Sequence, residues 1–292
     1  MELVLSVLIN SLSLGGIYAM IALGYTMVYG IAKMLNFAHG DIIMVGAYAI
    51  YVFLAVGNPF LAILFSVVFC LLLGITIERV AYRPLRGASP LAVLITAIGV
   101  SYLLQSLAQI IFGSASKMVN VFDFGVVKFL DGRLTVQVAT LVTLAVTVVV
   151  MVALTLFVKF TRTGRAMIAV SEDRGAAQLM GINVNQIITV TFAIGSSLAA
   201  LAGLFYLLKA PSVSSTLGAM PGIKAFTAAV IGGIGSIPGA MLGGLLLGLV
   251  ECIATKITVI APYTDAIEFS ILIIILLVRP TGFLGKKRRE KV

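Results

Sequence analysis

Few residues in this chain could do chemistry. Asn36-Phe37-Ala38-His39-Gly40-Asp41 is the most polar cluster between the early apolar runs, and it holds the only histidine. A His and an Asp this close could relay a proton. Lys33 beside them points instead to a membrane–water interface, where Asn36, His39 and Asp41 would form a turn or a gate at the inner mouth of a pathway. Glu251, Lys256, Asp265 and Glu268 could couple transport to an ion, but each lies near an apparent helix end and reads as a solvated interfacial residue. Cys70 and Cys252 lie in apolar segments and read as small hydrophobes rather than a redox pair. The run GGIGSIPG has no Gly-Lys-Ser/Thr ending and no strand–loop–helix setting, so it does not read as a phosphate cradle. No GxSxG, HExxH or Cys/His metal spacing occurs. The sequence therefore predicts no catalysis, no metal site and no ATP site of its own.

The elements that hold these residues are set by composition. Of 292 residues, 61% are hydrophobic and 11% charged. Soluble domains run closer to half apolar and a quarter charged. The solvent for most of the chain must be lipid, and residues 1–292 read as one all-α polytopic membrane domain. The net charge of +9 does not indicate nucleic acid. Thirteen of the twenty basic residues fall in three clusters, each after an apolar run: Arg79, Arg83, Arg86; Lys159, Arg162, Arg165, Arg174; and Arg279 with Lys286, Lys287, Arg288, Arg289, Lys291. Such clusters mark cytoplasmic loops.

A crossing needs about 20 apolar residues. The sequence predicts spans over 3–32, 41–56, 60–78, 91–112, 134–158, 187–208 and 264–279. Gly57-Asn58-Pro59 separates the second and third. Residues 115–133 are mixed and read as an external stretch, folded as a short hairpin with Asp131-Gly132 at its turn. In the glycine-rich region a half-helix over 223–234 and a second helix over 238–256 flank a break, and helices broken at membrane depth are tolerated only inside protein or along a cavity. Whether 223–235 crosses or re-enters is left open. The total is about eight transmembrane or half-membrane helices. The basic clusters place the C-terminus, with its tail 280–292, in the cytoplasm and the N-terminus outside. Gly235, Gly239, Gly243, Gly244 and Gly248 have the small-xxx-small spacing that lets helix backbones approach in lipid.

The stretch 159–186 interrupts two spans with charge. A helix from Ala169 to Met180 would set Ala169, Ala176, Ala177 and Met180 near one side, with Glu172, Asp173 and Arg174 elsewhere. Acids near its start suit the helix dipole, and Gly181 suits its end. Two readings stand on the residues alone: a docking helix for a soluble partner, or a plain linker.

Glu172-Asp173-x-x-Ala176-Ala177-x-x-x-Gly181-Ile182-Asn183 resembles the cytoplasmic coupling loop of ABC importer permeases, although Glu-Ala-Ala is not contiguous here. With the stretches GGIYAMIALGYTMVYGIAKMLNFAHGDIIMVGAY and FTAAVIGGIGSIPGAMLGGLLLGLVE, the chain resembles the branched-chain amino acid permease family, most of all its H-type subunit. Permeases for urea, short amides and ribose share the general pattern. The resemblance implies a bacterial inner-membrane importer built from this chain, a second permease subunit (often a sister chain, with a second copy left open), two cytoplasmic ATPases that use ATP and Mg, and an external solute-binding protein. It also implies that Glu172, Asp173, Arg174, Ala176, Ala177 and Gly181 couple the chain to the ATPases. The alternative class is a self-sufficient secondary transporter or channel.

Overall fold

The protein's structure, a computed structural model, describes residues 2–129 and 134–285. The chain runs α1 Glu2–Ala32, α2 His39–Phe53, α3 Pro59–Ile77, α4 Pro90–Phe112, β1 Lys117–Met118, β2 Val126–Phe129, β3 Leu134–Gln137, α5 Val138–Phe160, α6 Arg162–Glu172, α7 Arg174–Leu179, α8 Val184–Lys209, β4 Ser212–Val213, α9 Ala219–Gly232, α10 Ile237–Lys256 and α11 Thr264–Val278. Eight helical stretches among the described residues are long and apolar enough to cross a membrane, and α9 is a shorter apolar helix beside them. The protein is thus a multi-pass membrane protein of mostly helical architecture.

Boundaries follow local chemistry. Asn58 caps α3, its side chain accepting from Phe60 N at 3.0 Å, with Pro59 as the first helical residue. α3 continues through a π turn, Glu78–Tyr82, and a short 3-10 turn, Arg83–Leu85, where Pro84 lacks the N–H a longer helix would need. The fifth span begins at Val138 rather than 134, because Leu134–Gln137 pairs antiparallel with Val126–Phe129. The expected hairpin is therefore present in its strands; its Asp131-Gly132 turn lies outside the described residues, as does the segment 286–292 of the basic tail. β1 pairs with β4, an association of distant segments that the sequence did not suggest.

The core is α1, which packs against α10, α8, α9 and α5. Ile17, Tyr18, Ala19, Met20, Ile21, Ala22 and Leu23 are all buried. A helix apolar on every side belongs in an interior. Its seam with α10 is made of glycine: a Cβ at Gly244 would stand 2.5 Å from Ala19 Cα, and one at Gly248 would stand 2.8 Å from Ser11 O. The same helix offers Gly239 and Gly243 to α9, where added Cβ atoms would meet Gly232 C and Gly232 N at 2.9 Å. Gly235 lies in the break itself at φ +96°, facing Gly30.

The glycine-rich break falls earlier than the expected 235–237 and is one residue longer. α9 starts at Ala219, four residues before the expected 223, and residues 233–236 are non-helical. Gly233 has φ +106°, and Ser236 caps α10 by accepting from Gly239 N at 3.2 Å. The open end of α9 is closed from elsewhere: after α11 the chain turns back, and Phe283 N and Leu284 N donate to Ile231 O and Gly232 O, each at 2.9 Å. The two ends of the bundle can then be told apart. One carries the segments 33–38, 161–183, 233–236 and 279–285, here called the loop end. The other carries the two β pairs, here called the hairpin end.

Candidate functional site

The loop between α5 and α8 is positioned by four local devices. Thr161 is the single extended residue between α5 and α6; its hydroxyl donates to Phe157 O at 2.7 Å and accepts from Gly164 N at 2.9 Å. Gly164 is required there, because a Cβ would stand 2.5 Å from Val158 Cα. Asp173 is extended (φ −151°, ψ 112°) and caps α7 by accepting from Ala176 N at 3.0 Å. Gly181, at φ +81°, closes α7 in a Schellman turn: Ile182 N donates to Ala177 O at 3.0 Å and Gly181 N to Gln178 O at 2.9 Å.

The expected single helix over 169–180 is therefore two helices that break at Asp173. The Ala169-Ala176-Ala177-Met180 side does not exist as one face. Ala177 is buried, Ala176 is exposed, and Met180 is 82% exposed. The reason is the Asp173 cap, which offers the backbone a turn in place of a continuous helix. Arg174 points inward and donates to the carbonyls of Ala32 and Ile31 at the end of α1. Burial, and the charge of Arg86 beyond it, lower its proton affinity, although a guanidinium stays charged. Glu172 lies exposed at the end of α6. The sequence missed Leu179, which is 90% exposed and makes an apolar tip with Met180.

The loop is braced behind this tip. Met167 and Val170 of α6 are buried, and α6 packs on α1, α5 and α8. Arg86 pairs with the fully buried Glu78 and also reaches Asn185. Thr189 donates to the other oxygen of Glu78 at 2.7 Å. The end of α3 and the start of α8 thus meet at one patch.

Asn36, His39 and Asp41 are not solvated at an interface; all three are buried. The segment after α1 turns back into the bundle, and the His39 ring lies under Gly24 and edge-on to Tyr25 at 4.7 Å. His39 Nε2 has no hydrogen-bond partner among the described residues. Asn36 accepts from Tyr82 OH at 2.8 Å, and Asp41 accepts from Gln105 Nε2 at 2.8 Å. Backbones also touch here, since a Cβ at Gly40 would stand 2.6 Å from Gly218 O. His39 and Asp41 are not brought together as a relay pair by any described hydrogen bond.

A second polar centre depends on Lys224, which the sequence reading passed over. Its ammonium on α9 lies 3.2 Å from Glu251 of α10, and 2.8 Å and 3.3 Å from Asp265 and Glu268 of α11. Tyr18 of α1 donates to Glu251 at 2.6 Å. The expectation of solvated interfacial carboxylates fails for Glu268, which is fully buried, and for Glu251, which is mostly so; Asp265 alone is half-exposed. Cys70 and Cys252 are both free thiols.

Comparison with known proteins shows the family of the chain. Residues 7–276 match the family described as "Branched-chain amino acid transport system / permease component". The chain is 43% identical to the high-affinity branched-chain amino acid transport system permease protein BraD of Pseudomonas aeruginosa, over 98% of this chain and 97% of that protein. It is 41% identical to the corresponding permease protein LivH of Escherichia coli K12, over 97% and 96%. A shorter likeness, 33% identity over 44% of this chain and 42% of the relative, joins it to the ribose import permease protein RbsC of Haemophilus influenzae.

Proposed function

The chain belongs to the branched-chain amino acid transport permease family, and from that premise we propose that it is a membrane-spanning subunit of an ATP-driven importer of branched-chain amino acids. In this reading it works with a second permease subunit, two ATPases and an external solute-binding protein. Hydrolysis of ATP with Mg takes place in the ATPases, and this chain does no catalysis.

The observation that carries the reading is the tip of the loop. A large exposed apolar pair, Leu179 and Met180, stands on a rigidly capped turn at the end of the bundle that holds Arg79, Arg83, Arg86, Arg162, Arg165, Arg174 and Arg279. Basic residues gather on the cytoplasmic side, so this end faces the ATPases and the start of α1 faces outward. Leu179 and Met180 anchor in an ATPase groove, with Glu172 and Ala176 at its rim. Asp173, Ala177 and Gly181 shape the turn, and Arg174 ties it to the end of α1. When the ATPases close, the displaced turn draws on α1 and α8, and α1 carries α10 through their glycine seam. The ATPases shift the equilibrium because they bind one permease state better than the other.

Replacing Leu179 and Met180 together by Asp is expected to weaken ATPase association by at least about 2 kcal/mol, roughly thirtyfold, as for loss of an interface anchor. The chain should still insert. Co-purification of the ATPases and ATP-dependent leucine uptake by the whole complex are the readouts. Unchanged association would refute the docking role, and leucine flux by the purified chain alone, without ATP, would refute the importer reading. The likeness to a ribose permease makes competition by ribose, urea and short amides the control on solute class.

A further inference from the structure

About two turns on one side of α4 do not belong in lipid, although the same side is apolar nearer the start of the helix, at Leu91, Ile95 and Ile98. The helix has 23 residues, about 34 Å at 1.5 Å per residue, enough for the hydrocarbon layer. Its buried face is Val93, Ala97, Leu104 and Ala108. From there to one flank, in the half that approaches the hairpin end, come Ser101, Gln105, Gln109, Tyr102 and Ser106. Tyr102 is 65% exposed, and Ser106 and Gln109 are exposed with it. The opposite flank carries Leu103, Leu107 and Ile111, also exposed, and Ile110, at 80% exposure, marks the border beside Ser106.

The long exposed faces of α3 and α5 lack this division. The exposed face of α3 includes Phe60, Leu64, Phe65, Val68 and Leu72; that of α5 includes Val148, Val149, Val152 and Leu156. Those are lipid faces. Tyr102 is not a headgroup anchor, because it stands near the middle of its helix and anchoring tyrosines gather at the ends. A hydroxyl or carboxamide left in hydrocarbon costs several kcal/mol.

The sector also continues into the protein. Gln105 donates to Asp41 at 2.8 Å, and Gln109 to Ser215 at 3.2 Å. It therefore runs from the open flank of α4 to the place where Gly40 of α2 meets Gly218 before α9. The cavity of about 420 Å³ at the hairpin end, between α1, α5, α8 and α10, shares none of these residues.

We propose that Tyr102, Ser106 and Gln109 form a wall of the aqueous passage taken by a small zwitterionic solute, where α4 faces the second permease subunit. The inference rests on the importer reading. Ser101 and Gln105 fix the wall to Asp41, and Leu103 and Leu107 face lipid.

The test uses the whole transporter in vesicles, with Cys70 and Cys252 replaced by Ala and single cysteines introduced as Tyr102→Cys, Ser106→Cys, Leu103→Cys or Leu107→Cys. The probe is a charged, membrane-impermeant methanethiosulfonate. Cysteines at 102 and 106 should react at least about tenfold faster than those at 103 and 107, because hydrocarbon raises a thiol's pKa and each unit removes nine-tenths of the thiolate. Modification at 106 should also block uptake. Equal rates at 106 and 103, or slow reaction at both 102 and 106, would overturn the proposal in favour of a dry helix contact. Fast, site-selective labelling in a transporter that takes up no branched-chain amino acid would uphold the passage and refute the solute.

Discussion

Replacing Lys224 by Met is expected to destabilise the protein by about 3–5 kcal/mol, the range for removing one partner from a buried ion pair. The ammonium holds Glu251, Asp265 and Glu268 together from a single position on α9. Without it, Glu268 keeps a fully buried carboxylate and Glu251 a mostly buried one, with no other cation within ion-pair distance among the described residues. Thermal unfolding in detergent, followed by loss of the monodisperse peak, measures the effect. The double variant Lys224→Met with Glu268→Gln should recover part of the loss, because it removes the most buried of the orphaned charges. Asp265→Asn should cost about 0–1 kcal/mol, as for an exposed pair, since that side chain is 53% exposed. A Lys224→Met protein that melts with the parent would show that the cluster contributes nothing to holding α9 against α10 and α11.

The second large effect is expected at the α1–α10 seam. Gly244→Leu should cost about 3 kcal/mol, the upper end of the usual range for overpacking. The neighbour that an added Cβ would meet is the backbone of Ala19, at 2.5 Å from its Cα, so no rotamer change can make room. Gly99→Ala is the matched control: nothing stands within 4 Å of a Cβ there, and the change to Ala in a helix should be neutral or stabilising by up to about 1 kcal/mol. Equal melting temperatures for the two variants would mean that close approach of α1 and α10 is not what orders the core. Because α1 is also the helix that receives Arg174, Gly244→Leu should reduce transport in any protein that still folds.

The spans were legible because lipid enforces long apolar runs, and breaks such as Asn58-Pro59 carry their own turn chemistry. The glycine spacing was legible for the same reason, since period-four glycines need little tertiary context. Lys224 was not. It is a lone charge at the edge of an apolar run, and its partners come much later in the chain, so only the fold shows that three carboxylates surround it. The burial of Asn36, His39 and Asp41 was also hidden. Lys33 marks the end of α1 correctly, but a return of the chain into the bundle leaves no mark in hydropathy; Gly24, which makes room for the His39 ring, lies too far back to be paired with it by eye. The division of the loop at Asp173 did have a signal, a capping residue three positions before Ala176, which the continuous-helix reading overrode. The apolar tip at Leu179 and Met180 could not be told from a buried edge until the exposure of both was known.

The turn after α11 also bears on how the protein is made. Among the last carbonyls of α9, those of Ala229 and Val230 accept from Gly233 N, but those of Ile231 and Gly232 take the amides of Phe283 and Leu284, which come much later in the chain. Ile231 and Gly232 are buried in protein, where an unsatisfied carbonyl is costly. The break near the middle of the glycine-rich region can therefore close only after α11 has been inserted and the chain has passed Leu284. Order of synthesis and order of completion are reversed for this part of the molecule. A nascent chain halted before Gly282 should hold all its spans and still present α9 with an open end to whatever insertion machinery surrounds it.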